Sequence, residues 1–166
     1  WLMTFIYGPR YGLIASVLFG FVRLGITHLT GEYINPNIWS ILLEYPIAHG
    51  VFCLGGFLQE RGQKNDYTID DHERIQAEPY KLRMGYVIGV AAMLACYVIS
   101  AELFYPPYRD GFFSNLFYNI VYDSSYLLIE GSFSLLLLCV PKVADAIYYI
   151  KHVATHIDED DTLECF

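Results

Sequence analysis

Charged side chains are scarce in this sequence. Asp, Glu, Lys and Arg make up 17% of its 166 residues, against roughly 25% in soluble domains. Hydrophobic residues reach 55%, which is too high a share for an intrinsically disordered chain. Ten basic residues stand against eighteen acidic ones, for a formal net charge of -8, so the basic surface that a nucleic acid requires is missing. We therefore expect a single domain and no nucleic-acid partner.

Motifs for catalysis and for cofactor or metal binding are also missing. The chain contains no phosphate-binding loop, no nucleophile–base arrangement and no zinc-protease motif. Its four cysteines are scattered, three of them in apolar segments, and indicate neither a disulfide framework nor a metal site. His152 and His156 are spaced to share a metal ion, but no adjacent residues complete a ligand set.

Long apolar segments are what the sequence has in abundance. A helix needs about 20 mostly apolar residues to cross a hydrocarbon layer about 30 Å thick, and four segments approach or exceed that length. Residues 1–9 resemble the end of a fifth segment. We therefore predict an all-α integral membrane protein, a polytopic helical bundle with about four full spans and one partial span. The four full segments are residues 11–30, 38–59, 84–101 and 112–141.

Four charged side chains interrupt these segments: Arg23, Glu44, Asp123 and Glu130. An acid within a membrane span is energetically costly and therefore indicates a functional site. Asp123 and Glu130 are seven positions apart and lie on nearly the same helix face; we expect Glu130 to be structural. Two interpretations of Glu44 stay open, a structural acid paired with Arg23 or a carboxylate that binds a cationic ligand.

The distribution of Lys and Arg predicts how the bundle is oriented. Residues 60–83 contain five of these cations, whereas the connections 31–37 and 106–111 together contain one. Because cytoplasmic loops are enriched in Lys and Arg, we expect the 60–83 loop and the C-terminus in the cytoplasm. The predicted organisation is a transmembrane bundle over residues 1–141 and an acidic cytoplasmic tail over residues 142–166.

This topology brings acids and tyrosines from separate segments together in the outer half of the bundle. Tyr45 is the most specific of these tyrosines, because it adjoins Glu44 and precedes Pro46 inside an apolar span. A proline there disrupts the helix and frees a backbone carbonyl, a common feature near transport sites. Carboxylates combined with aromatic faces suit a flat, cationic ligand. The other residues expected at this level are Tyr33, Glu102, Tyr105, Tyr118 and Asp123.

Three stretches resemble a known family. LLEYPIAHGVFCLGGFLQE at 42–60 resembles the fourth helix of the thiamine-specific substrate-binding (S) subunits of energy-coupling factor transporters. That helix has an acid-Tyr-Pro-Leu/Ile-Ala sequence followed by a Gly-rich apolar run. PRYGLIASVLFGFVRLG at 9–25 resembles the start of the family's third helix, and DSSYLLIE at 123–130 is similar to its Asn-Gly-Ser-Tyr-x-x-Pro-Glu segment. The resemblance covers residues 8–60 and roughly 85–140.

The resemblance implies a six-helix fold, of which this chain lacks the first helix and the following loop. It implies a multi-pass protein of the bacterial cell membrane that captures thiamine from outside and does no chemistry itself. It implies no cofactor and no metal, and the partners of such subunits are a transmembrane coupling subunit, two cytoplasmic ATPases and membrane lipid. The thiamine contacts carried over are Glu44, Tyr45, Tyr105, Tyr118 and Asp123, with Tyr33 near another aromatic contact.

The sequence departs from the family pattern at several positions. Tyr97 lies where the family has a ligand-binding His, Asp123 replaces an Asn, and Ile129 replaces a Pro. Arg23 is not expected at its position. The extra carboxylate still favours a cationic ligand, but another cationic aromatic vitamin or precursor is an alternative within the same architecture. The further alternatives are a structural membrane subunit and an intramembrane enzyme that uses Glu44, Asp123 or His49.

Overall fold

The structure, a computed structural model, describes residues 1–55, 67–69, 75–77 and 79–163. Within this part it describes the side chains of residues 1–55 and 80–154. Helices account for most of it, and the only described strands form one short antiparallel pair. The helices are α1 Leu2–Tyr7, α2 Pro9–Thr30, α3 Ile38–Leu42, α4 Ala48–Val51, α5 Pro79–Phe104, α6 Phe112–Cys139 and α7 Pro141–Leu163, and the strands are β1 Tyr67–Ile69 and β2 Ile75–Ala77.

Three of the described helices are long and apolar enough to cross a membrane, namely Pro9–Thr30, Tyr80–Phe104 and Phe112–Cys139. They confirm the predicted all-α membrane bundle and correspond to three of the four predicted spans. The remaining one, predicted over 38–59, is interrupted after its first five helical residues. Its last part, from residue 56 onward, lies outside the described residues.

The interruption is a π-helical turn over Leu43–Ile47, between α3 and α4, with Pro46 inside it. Proline has no N–H to donate and its ring collides with the carbonyl of the preceding turn, so the backbone widens there. The Tyr45 carbonyl accepts a hydrogen bond from Nδ1 of His49 at 2.8 Å. The predicted disruption at Pro46 is thus confirmed, and it determines where Glu44 and Tyr45 lie.

Helix α2 packs closely on this turn through a row of small residues. Gly12, Ser16 and Gly20 are all buried. A Cβ atom added at Gly20 would lie 2.5 Å from the Tyr45 carbonyl oxygen and 2.8 Å from the Pro46 Cα. Only glycine fits at that contact, because small residues in a row let two helices approach closely.

The described hydrophobic core lies at the other end of the bundle, where α1, α5 and α7 meet. Phe5 of α1 contacts Tyr148 of α7 edge to face, with ring centroids 5.2 Å apart. Leu82, Ala144 and Ile147 are buried in the same cluster. Helix α7 therefore belongs to the bundle as far as its side chains are described.

Helices α5 and α7 differ from the organisation expected from the sequence. The tail predicted over 142–166 is helical through Leu163, because apolar residues recur at helical spacing on the face that meets α1 and α5. Helix α5 begins at Pro79, so the last five residues of the expected 60–83 loop are helical; proline is well suited to a first helical turn. The cytoplasmic location of both segments stays a prediction.

The close approach of α2 to the π-helical turn leads to a test of stability. Replacing Gly20 by Ala puts a methyl group against the Tyr45 carbonyl. We expect a loss of about 1–3 kcal/mol in the free energy of unfolding, the usual cost of overpacking, seen as a lower Tm in detergent.

Gly25→Ala is the matched control on the same helix, because nothing lies within 4 Å of an added Cβ there. It should leave Tm unchanged or raise it, since alanine favours helix more than glycine does. The same fall in Tm for both variants would contradict the close approach.

Candidate functional site

A cavity of about 600 Å³ lies between α2, the π-helical turn, α5 and α6. Its volume is in the range of roughly 300–1,000 Å³ that is usual for small-molecule sites. Seven tyrosines line it, and we refer to it as the tyrosine cavity. They are Tyr33, Tyr45, Tyr97, Tyr105, Tyr108, Tyr122 and Tyr126, and the charged residues on its wall are Arg23, Glu32, Glu44 and Asp123.

Glu44 is held in this cavity by three hydroxyl groups from two segments of the chain, α3 and the end of α5. Ser40 and Ser100 donate hydrogen bonds to its Oε1 at 2.9 and 2.7 Å, and Tyr105 donates to its Oε2 at 3.2 Å. Both serines are fully buried. Hydroxyl groups satisfy the lone pairs of a carboxylate without cancelling its charge, so the site keeps a negative charge in a fixed position.

Tyr105 follows directly after the end of α5 at Phe104. Burial, together with the nearby Glu44 carboxylate, raises the pKa of the Tyr105 phenol above its ordinary value. The phenol therefore stays protonated at physiological pH and remains a hydrogen-bond donor to Glu44.

The ion pair considered from the sequence, Glu44 with Arg23, does not occur in the described part of the chain. Both oxygens of Glu44 accept from hydroxyl groups instead. Both residues nevertheless line the tyrosine cavity. The structural-subunit interpretation, which depended on that ion pair, loses its support.

Asp123 offers a second carboxylate to the cavity. Its side chain is only 7% exposed, and its Oδ1 accepts a hydrogen bond from the Tyr126 hydroxyl at 3.3 Å. Its Oδ2 is buried and has no hydrogen-bond partner among the described residues. Burying an acceptor without a donor is costly, and a donor on a bound ligand would remove that cost.

Tyrosine rings form the walls around these two acids. Tyr33 meets Tyr105 at 6.4 Å between ring centroids, and Tyr122 meets Tyr126 at 6.2 Å, both nearly perpendicular. Tyr97 contacts Tyr126 at 6.5 Å in a tilted arrangement. Negative ring faces beside a carboxylate attract a cation, so the cavity is chemically suited to a flat, positively charged molecule.

Most of the residues predicted for the site meet at this cavity. It brings together six of the seven predicted contacts, namely Tyr33, Glu44, Tyr45, Tyr97, Tyr105 and Asp123. Its wall also contains residues that sequence reasoning missed, among them Asn119 and Tyr122. The contact between Ser40 and Glu44 could have been predicted, because residues four apart lie on the same face of a helix. No local sequence pattern links Glu44 with Ser100.

Two predicted residues lie elsewhere. Tyr118 is absent from the cavity wall and packs behind it, 5.5 Å from the Tyr108 ring and 6.1 Å from the Tyr122 ring. It lies one helical turn before Tyr122, which does line the cavity, so Tyr118 stands just beyond the end of the wall. Glu130 is exposed and lines a separate cavity of about 1210 Å³.

A cluster of amide and carboxylate groups holds the α5–α6 connection at the edge of the site. Glu102 Oε1 accepts hydrogen bonds from the side-chain amides of Asn115 and Asn119, at 3.1 and 2.8 Å. Asn115 Oδ1 in turn accepts from the backbone N–H groups of Tyr108 and Arg109, at 2.8 and 3.3 Å. This cluster therefore fixes the segment that brings Tyr105 and Tyr108 to the cavity.

Asn115 is the residue of this cluster whose removal leaves most groups unsatisfied. In Asn115→Ala, two backbone N–H groups lose their acceptor and Glu102 loses one donor. We expect a loss of about 1–3 kcal/mol in unfolding free energy, measured by thermal unfolding in detergent. Ser114→Ala, at an exposed neighbouring position, should leave Tm unchanged; a similar Tm for both variants would show that the cluster contributes nothing.

A family model described as "Thiamine transporter protein (Thia_YuaJ)" matches residues 1–149. Neither a curated protein nor a solved structure matches the chain.

Proposed function

Because the chain belongs to the thiamine transporter family, whose model covers residues 1–149 of 166, we propose that the tyrosine cavity is its thiamine site. Family membership confirms the resemblance seen in the sequence, and the protein is a substrate-binding membrane component for thiamine uptake. The three long apolar helices among the described residues agree with a multi-pass membrane protein. Membership in a transporter family implies binding without chemistry.

The observation that carries the proposal is the pair of carboxylates in one aromatic cavity. Thiamine joins a permanently cationic thiazolium ring to an aminopyrimidine ring that donates hydrogen bonds. Glu44 supplies a negative charge that no described cation neutralises through an ion pair. Asp123 supplies a buried acceptor, its Oδ2, that lacks a donor. A ligand with a positive charge and an N–H donor pairs with both, the charge with Glu44 and the donor with Asp123 Oδ2.

The hydroxyl groups around Glu44 support a site that is formed before the ligand arrives. Ser40 and Ser100 are fully buried, and each donates to the same carboxylate oxygen. Their oxygens also lie 3.2 Å from each other. Such preorganisation lowers the entropy that binding costs. In the proposed complex, the carboxylate already has its binding orientation and the tyrosine rings stack on the vitamin.

The assembly proposed for this protein follows the family resemblance. The chain would act as the S subunit of an energy-coupling factor transporter, together with a transmembrane coupling subunit and cytoplasmic ATPases. It would lie in a bacterial cell membrane, capture thiamine from the outside and keep its C-terminus in the cytoplasm. The cation-rich 60–83 segment supports that orientation.

Calorimetric titration of thiamine into the detergent-purified protein tests the site. Glu44→Gln and Asp123→Ala should each weaken binding by about 1.5–3 kcal/mol, the contribution of a hydrogen bond to a charged group. Glu44→Gln leaves the positive charge of the ligand without an opposite charge, and Asp123→Ala leaves an N–H donor of the ligand without its acceptor.

Glu130→Gln is the matched control, an acid-to-amide change on α6 at a residue outside the tyrosine cavity. It should leave thiamine affinity unchanged. Equal losses of thiamine affinity in Glu44→Gln and Glu130→Gln would mean that general destabilisation was being measured. If the wild type did not bind thiamine, the proposed thiamine site would be refuted.

A further inference from the structure

Two connections of the chain meet beside the tyrosine cavity, 31–37 between α2 and α3 and 105–111 between α5 and α6. Each contributes an aromatic ring to the cavity wall, Tyr33 from the first and Tyr105 from the second. The two rings are in edge-on contact, with centroids 6.4 Å apart. Tyr33 is 75% exposed, so its own packing does little to hold it. The relative position of the rings therefore depends on how the two connections are held together.

The side-chain amide of Asn35 links the first connection to the end of α5. Its Nδ2 donates a hydrogen bond to the backbone carbonyl of Phe104 at 2.9 Å, across 69 positions of the sequence. Its Oδ1 accepts from the backbone N–H of Asn37 at 3.0 Å, which fixes the orientation of the amide. Asn35 is only 7% exposed, so water competes little for either bond.

The carbonyl that Asn35 binds lies directly before one of the cavity tyrosines. Phe104 is the last residue of α5, and carbonyls in the last turn of a helix have no partner within the helix. Tyr105, the next residue, donates a hydrogen bond to Oε2 of Glu44 at 3.2 Å. The amide thus fixes the backbone from which Tyr105 reaches the acid, and it stands two residues after Tyr33.

We propose that Asn35 is a positioning residue for the ligand, which tightens binding by holding Tyr33 and Tyr105 together on the wall. The inference rests on the proposed thiamine site. Asn35 is not among the residues of the cavity wall, so its effect passes through the two rings. Rings that have their places before thiamine arrives lower the entropy that binding costs. Without the hydrogen bond the complex loses this advantage and dissociates faster, because affinity differences between variants lie mostly in the dissociation rate.

Asn35→Asp tests the link, because it removes the donor to Phe104 and keeps the acceptor for Asn37. Asn37→Asp is the matched control, with the same amide-to-acid change in the same connection. Asn37 is exposed, and its Oδ1 accepts from the backbone N–H of Trp39 at the start of α3, a cap that aspartate forms equally well. The control therefore measures what the added negative charge alone does to a cationic ligand.

Arg83→Met controls for the loss of a hydrogen bond to a helix end. Nε of Arg83 donates to the Leu138 carbonyl at 3.3 Å, one residue before the end of α6. Leu138 belongs to the hydrophobic core at the other end of the bundle, and Arg83 lines neither cavity. Both Arg83→Met and Asn35→Asp should lower Tm in detergent, because each leaves a carbonyl without its donor.

Thiamine affinity should separate these variants. Asn35→Asp should raise Kd about tenfold, with most of the rise in the dissociation rate, measured by the release of radiolabelled thiamine. Asn37→Asp and Arg83→Met should stay within about threefold of the wild type. In a Tyr33→Ala background, Asn35→Asp should change Kd by less than about threefold, because one of the two rings that Asn35 holds together is gone.

Three results would overturn the positioning role. The first is a Kd of Asn35→Asp within about threefold of that of Asn37→Asp. The second is an equal loss of thiamine affinity in Arg83→Met, which would show general destabilisation. The third is a full loss from Asn35→Asp in the Tyr33→Ala background, which would show that Asn35 does not act through that ring.

Hydrogen exchange of the wild type decides the matter even if Asn35→Asp does not fold. Thiamine should slow amide exchange in 31–37 and in 105–111 together, and slowing in only one of them would refute the link. In each contrary case, thiamine binding to the wild type leaves the proposed function intact. A wild type that does not bind thiamine would refute the proposed function and this inference with it.

Discussion

A proline inside an apolar helical segment is the constraint on which the candidate site depends. Pro46 has no N–H to donate, and the chain responds with the wide turn at Leu43–Ile47. The turn presents the Tyr45 carbonyl to His49 and to the closely packed Gly20. It also places Glu44 where hydroxyl groups from α3 and from the end of α5 reach it. The π-helical turn thus positions Glu44 and Tyr45 and determines how α2 packs.

Hydroxyl groups, not a cation, surround Glu44, and this makes the cavity chemically suited to a cation. An arginine partner would neutralise the acid and leave little to attract a ligand. Ser40, Ser100 and Tyr105 satisfy the oxygens while the charge persists. Arg23 lines the same cavity without an ion pair in the described structure, so both signs of charge remain available to a bound molecule.

Much of the site could be predicted from the sequence because its residues carry strong local signals. Glu44 and Asp123 are acids in apolar segments, and Tyr45 stands beside a helix-breaking proline. Tyr118 could not be judged in the same way, because its place depends on how far the cavity extends along α6, and the structure puts its ring beside those of Tyr108 and Tyr122, off the wall. Of the two interpretations of Glu44 that the sequence left open, the pairing with Arg23 does not occur among the described residues, because sharing a membrane level does not bring two side chains into contact.

The sequence by itself determined the class of protein, since apolar runs of membrane length, scarce charge and a Glu-Tyr-Pro motif are local properties of the chain. Its match to the thiamine transporter family depends on the same order of residues. Only the tertiary structure decided which groups satisfy Glu44, which oxygen of Asp123 stays without a donor, and that residues beyond 141 pack as a helix against α1. These features join residues far apart in the chain, and their contacts arise from helix rotation and packing, which no local pattern specifies.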